Sequence, residues 1–175
     1  MRPGVDYRNL YCVRGEEGGG VIFDCIHEID YLCWILGPVV DISCSCGKLS
    51  DLEMDCEDWA VVILTHESGA RSEIHLDYLQ RFKQRGCEIA GSEGTLQWRS
   101  DGKQPEACSV RLYEDSQSSW SDLYVTDDED SSGIYMEMMR DFLSDRPSDR
   151  LSTFEDGACA VEVARKARVL GECCL

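Results

Sequence analysis

Between Val39 and Val125 the chain reads as one strand pattern after another, and helical patterns stand only before and after that block. A parallel sheet needs a crossover between neighbouring strands, usually a helix, and the block has no such alternation. The order is a helix, six or so strands and two helices. It predicts an α+β layer architecture with hairpin-linked, mostly antiparallel strands. "WAVVILTHESGARSEIHLDYL" is a hairpin turning at Glu67-Ser68-Gly69, and "RGCEIAGSEGTLQWRS" is a second, turning at Ser92-Glu93-Gly94. "VVDISCSCGKL", "CSVRLYE" and "SDLYV" complete the strands, and the segment between Ser100 and Ala107 reads as a loop. Val61 to Leu64 is apolar at every position, which suits a strand covered on both faces. Covering the sheet face with a second copy of the chain is a common solution.

The leading helix begins after three glycines, in "GGGVIFDCIHEIDYLCWILG" (18–37), and stops at Gly37-Pro38. Ile22, Ile26, Ile29, Cys33 and Leu36 recur at steps of three and four and define its apolar face. Glycines opening a helix raise the possibility of a phosphate loop. A dinucleotide site, however, needs a buried strand just before them, and "YCVRGEEGGG" is polar and acidic. There is no GxGxxG and no Walker A lysine. The glycines are therefore read as a tight entry into the helix.

Asp24, His27, Glu28 and Tyr31 lie on the side opposite the apolar stripe. Asp24 and His27 are three residues apart, within reach for a carboxylate to orient an imidazole. A histidine so placed suits general acid–base work near neutral pH. The same pattern also describes a helix whose outer face is merely wet.

Near the C-terminus, "TDDEDSSG" (126–133) reads as an acidic linker inside a single domain spanning 1–175. Ile134, Met138, Met139 and Phe142 then form one helical stripe, and Phe154, Ala158, Val161 and Ala164 another. Ser152 and Glu155 have capping-box spacing at the start of the last helix.

Composition narrows the partners. The 175 residues carry 34 acidic side chains against 17 basic ones, a net charge of −17. That surface repels nucleic-acid backbones and anionic membranes. Eleven cysteines without a CxxC pair, and three histidines at no zinc-finger spacing, predict reduced thiols and no structural metal. No signal-peptide pattern opens the chain and no apolar run is long enough to span a membrane, so a cytoplasmic location is expected. A metal site assembled from His27, His75 and Asp77 would draw on different elements with no motif behind it.

The glycine-helix segment, together with "RPGVDYR" ahead of it, "HLDYLQR", "CEIAGSEGTLQW" and the closing "FEDGACAVEVARKAR", resembles the C-terminal domain of the Gfo/Idh/MocA family of NAD(P)-dependent sugar and cyclitol oxidoreductases. The resemblance covers nearly the whole chain. It implies an open, mostly antiparallel or mixed sheet with helices packed on one face, the dihydrodipicolinate-reductase-like arrangement. It also implies that this domain shapes the substrate pocket and builds oligomers. In the family, an N-terminal Rossmann domain binds NAD or NADP and supplies a lysine from an EKP-like motif; neither stands in these residues, so no cofactor is expected on this chain itself.

By resemblance the proton-handling roles fall on His27 and Asp24, with Tyr7, Arg8, Glu28 and Tyr31 as candidate pocket residues. Many members space the Asp–His pair one residue wider than the D-x-x-H found here. Two readings stay open: the substrate-binding and oligomerisation half of an oxidoreductase, working with a Rossmann domain or a separate Rossmann chain on a sugar-like molecule, or a non-catalytic assembly or ligand-binding module derived from that family.

Overall fold

The structure is a computed structural model, and it describes residues 6–103, 106–129, 131–146, 148 and 150–172. The elements follow the expected α+β order, and every strand pairing is antiparallel. The chain forms two compact units: residues up to Gln80 together with those from Ser152 onward, and the span Arg81–Leu151.

The first unit opens with three short 3-10 turns (Tyr7–Asn9, Tyr11–Val13, Gly15–Glu17). Helices α1 (Val21–Asp24) and α2 (Ile26–Leu36) follow, then strands β1 (Val39–Gly47), β2 (Trp59–His66) and β3 (Arg71–Asp77). The strands form a sheet in the order β1-β2-β3, with the β2–β3 turn at the expected place. Alternation decides which side is core: Ala60, Val62, Leu64 and His66 of β2 are buried with Ile74 and Leu76 of β3. His66 is a structural histidine, its ring nitrogens 2.8 Å from the Gly37 carbonyl and 2.9 Å from Ser72 Oγ. Covering of β2 on both faces does not hold within this unit, because Ile63 on the outer side is 44% exposed.

The last helix of the chain, α4 (Phe154–Glu172), returns to this unit and packs on β1 and α2. Its buried face is Ala160, Val163, Ala164 and Ala167, whereas Phe154 is 94% exposed and Val161 is also exposed. The expected stripe therefore has the wrong phase. Small side chains face the sheet because the approach is close. A Cβ on Gly171 would fall 2.4 Å from Cys46 Sγ. The capping box is also one residue later than expected. Thr153 Oγ1 accepts from Asp156 N at 3.1 Å, and Thr153 N donates back to the Asp156 carboxylate at 2.8 Å.

The second unit is a four-stranded meander of β4 (Arg85–Ala90), β5 (Gly94–Ser100), β6 (Glu106–Glu114) and β7 (Ser119–Glu129), followed by α3 (Ser131–Phe142). The supposed acidic linker is mostly strand and helix. β7 keeps pairing with β6 as far as Glu129 opposite Glu106, and α3 begins at Ser131. Backbone pairing with a neighbour outweighs the low strand propensity of acidic residues. Arg85 stacks over Trp98 and Arg111 over Trp120, so two cations cover aromatic surface on this sheet. The expected stripe of α3 (Ile134, Met138, Met139 and Phe142) stays exposed.

Candidate functional site

The glycine run places a helix start against the protein's own carboxylate. Gly20 has φ 105° and ψ 154°, and it offers α1 no side-chain cap. Glu57 supplies one from the loop before β2. Its backbone carbonyl accepts from Val21 N at 3.0 Å and its Oε1 from Ile22 N at 3.3 Å. Its Oε2 lies 2.9 Å from Arg168 of α4, whose guanidinium also stands over the Phe23 ring. A helix N-terminus attracts anions. Here that position is already filled, and Glu16 and Glu17 stand just before it, so the glycine run does not fit a dinucleotide pyrophosphate.

The helix that carries the predicted site is interrupted. Cys25 has φ −103° and ψ 27°, so α1 ends at Asp24 and a new helix starts at Ile26. The expected pairing of Asp24 with His27 assumed one continuous helix, and each side chain takes a different partner. His27 is half exposed, with Nε2 3.2 Å from Glu28 Oε1. Tyr31 follows one turn later on α2 and is half-buried. Asp24 instead accepts from the Tyr11 hydroxyl, donor to Oδ1, at 2.7 Å. That hydrogen bond, followed by burial, pushes the Tyr11 phenol up to about 12.

A second tyrosine lies on the same carboxylate. Burial first, then the nearby Asp24 charge, drives the Tyr78 phenol far above its usual range. A hydrogen-bonding interaction of its buried hydroxyl with that carboxylate adds to the shift. Burial and Asp24 also raise the Cys12 thiol.

Tyr7 and Arg8 face other groups. The Tyr7 hydroxyl accepts from Glu53 N at 3.2 Å. Arg8 forms two 2.8 Å hydrogen bonds to the Asp6 carboxylate and lies 3.6 Å from Glu53. Neither meets Asp24 or His27. Among the described residues no group of three or more His, Cys, Asp or Glu side chains is arranged to hold a metal ion. His75 is bonded to Asp77 at 2.8 Å, and Asp77 is a turn organiser that also accepts from Leu79 N, Gln80 N and Gln80 Nε2. Nine described cysteines are free thiols, and no described helix is long and apolar enough to cross a membrane.

Tyr11, Glu57 and Tyr78 are therefore members of the site region that spacing did not single out. Their partners lie far along the chain, so no local periodicity marks them.

Comparison with known proteins agrees with this architecture. Residues 3–97 match the model of the GFO/IDH/MocA C-terminal domain. The chain is 32% identical over 81 residues to the D-apiose dehydrogenase of Paraburkholderia graminis, covering 43% of this chain and 21% of that protein. It is 32% identical over 104 residues to the 1,5-anhydro-D-fructose reductase of Ensifer adhaerens, covering 57% and 30% respectively.

The fold is shared with the WlbA dehydrogenase of Bordetella pertussis, solved with NADH and UDP-GlcNAcA. The TM-score is 0.67 at 17% identity, over 100% of this chain and 50% of that one. An oxidoreductase from Agrobacterium radiobacter, solved with NAD+, L-tartaric acid and magnesium, has a TM-score of 0.65 at 19% identity, over 97% and 52%. The chain thus spans about half the length of these solved structures and under a third of the curated relatives. A buried carboxylate at the glycine-led helix, the sheet with helices on one face and the matched residues lead to one conclusion: the chain belongs to the Gfo/Idh/MocA C-terminal domain family.

Proposed function

We propose that this chain is the substrate-binding and oligomerisation half of an NAD(P)-dependent oxidoreductase acting on a CH–OH group of a sugar or cyclitol. The nicotinamide nucleotide belongs to a Rossmann domain outside these residues, since the glycine run here does not fit it. The observation that carries the reading is His27, half exposed at the head of α2 and 3.2 Å from Glu28, in a domain whose curated relatives are named for work on D-apiose and 1,5-anhydro-D-fructose. Glu28 on Nε2 leaves Nδ1 to accept the proton of a substrate hydroxyl, and its carboxylate stabilises the imidazolium that results. Free cysteines suit a reducing cytoplasm.

The test begins with peptide mapping of the polypeptide in its source cells. A product of about twice this length, one further domain, is the expected result. In that protein His27→Ala should lower NAD(P)-dependent turnover of D-apiose or 1,5-anhydro-D-fructose by about 10²-fold or more. A native product of the present length would favour a non-catalytic module, and turnover indifferent to His27 would remove its proton-transfer role.

The outer face of β1–β3 is the surface proposed for self-association. Ile63 and Val61 lie on it, with Trp59 set edge-on to His75. Light scattering should then report a mass at least twice that of the chain, and Ile63→Lys should return it to the monomer while the melting temperature stays close to wild type. A monomeric wild type at micromolar concentration would refute this surface.

A further inference from the structure

Strand β1 carries the run Cys44-Ser45-Cys46, and its alternation puts both cysteines on the face that α4 covers. Cys46 is 1% exposed and Cys44 is half-buried. The last turn of α4 brings Gly171 onto them, where a Cβ would stand 2.4 Å from Cys46 Sγ and 3.1 Å from Cys44 Sγ. Two sulfurs from one strand thus converge beside a residue that has no side chain to block the space between them. Those distances cap the sulfur–sulfur separation at about 5.5 Å, which admits the span of about 4.6 Å made by two thiolate–metal bonds of about 2.3 Å. A disulfide fits this pair poorly. Same-face neighbours on a strand stand about 6.6 Å apart, whereas a disulfide holds its Cβ atoms about 4 Å apart.

We infer that Cys44 and Cys46 form a binding site for a soft monovalent cation, Cu(I), held between the two sulfurs. Thiolates select soft ions, and a filled d shell lets monovalent copper stop at two ligands in a near-linear pair. Zinc takes four, and among the described residues no group of three or more His, Cys, Asp or Glu side chains is arranged for it. Binding forms two S–Cu bonds and releases both thiol protons to water, and the copper stays monovalent throughout. Cys46 then gives up its hydrogen bond to the Arg168 carbonyl, sulfur to oxygen 3.9 Å. The carbonyls at this end of α4 form the negative pole of the helix, so a cation is favoured where the protons leave. The site is independent of the oxidoreductase reading and uses none of its residues.

The experiment uses the 175-residue chain, reduced and kept anaerobic, with Cu(I) as the probe and bicinchoninate as a coloured competitor. The wild type should withdraw one equivalent of Cu(I) that Cys44→Ala and Cys46→Ala both leave on the chelator. Each variant should lose more than about 100-fold in affinity for that equivalent, since removing a ligand costs more than removing the groups that orient one. Cys159→Ala, which removes an exposed thiol elsewhere on α4, should bind as the wild type does. Cu(I) should raise the melting temperature of the wild type but not of the two strand variants, and Zn(II) should raise neither. Cys44→Ser and Cys46→Ser, closer in volume, repeat the comparison where an alanine variant does not melt cooperatively. Wild-type uptake by a Cys44 or Cys46 variant would overturn the inference. So would an equal loss in Cys159→Ala, which marks general thiol binding, or stabilisation by Zn(II) that matches Cu(I).

Discussion

Replacing Glu57 by alanine is expected to cost the chain about 3–5 kcal/mol of folding stability, the range for removing one partner of a buried ion pair. The Glu57 side chain is 5% exposed and that of Arg168 is 18% exposed, so the interaction is largely shielded from water. The carboxylate does two things at once. It caps the N-terminus of α1 through Ile22 N and it neutralises the α4 guanidinium at 2.9 Å. Alanine leaves a partly buried cation without its partner and an N–H at the helix start unmet. Urea unfolding measures the loss. The double variant Glu57→Leu with Arg168→Met should recover most of it, since removing both charges avoids the stranded cation. A loss below about 1 kcal/mol for Glu57→Ala would mean that the pair behaves as an ordinary surface bridge.

Gly20→Ala should be nearly as costly, at about 2–4 kcal/mol, combining backbone strain with a lost hydrogen bond. Its φ of 105° and ψ of 154° lie where residues with a Cβ are strained, and that Cβ would sit 2.2 Å from Glu57 Oε1. The side chain of Glu57 must move, and the cap moves with it. Gly37 provides the comparison. It also has a positive φ, 90°, but a Cβ there meets nothing within 4 Å. Gly37→Ala should therefore show only the strain and a smaller loss by the same urea measurement. Equal losses at the two positions would rule out a clash at Gly20.

Much of the fold was legible because strands and turns leave local marks. Glu67-Ser68-Gly69 and Ser92-Glu93-Gly94 sit between runs whose alternation states their pairing, and both turns occur where those marks place them. The phase of α4 was not legible. Phe154 and Val161 are the more apolar side chains, yet the sheet admits alanines and Gly171, because the distance between layers rewards small residues over greasy ones. The acidic stretch after Val125 failed as a linker for a related reason. Strand pairing is decided by the neighbour β6, which composition at 126–129 does not describe.

The site was readable in its residue types and not in its pairings. Asp24 and His27 were identified from a helix that, counted along the sequence, runs on without a break. The interruption at Cys25 gives Asp24 to Tyr11 and His27 to Glu28.

The set of elements, their order and the chemistry available on the first helix can be read along the chain. These follow from periodicity and turn residues within a few positions of one another. That the glycine-led helix faces Glu57 and Arg168, and that Tyr11 and Tyr78 converge on Asp24, emerges with the folded protein. Those contacts join residues far apart in the chain, and their energies come from burial and electrostatics that exist only once the layers have closed.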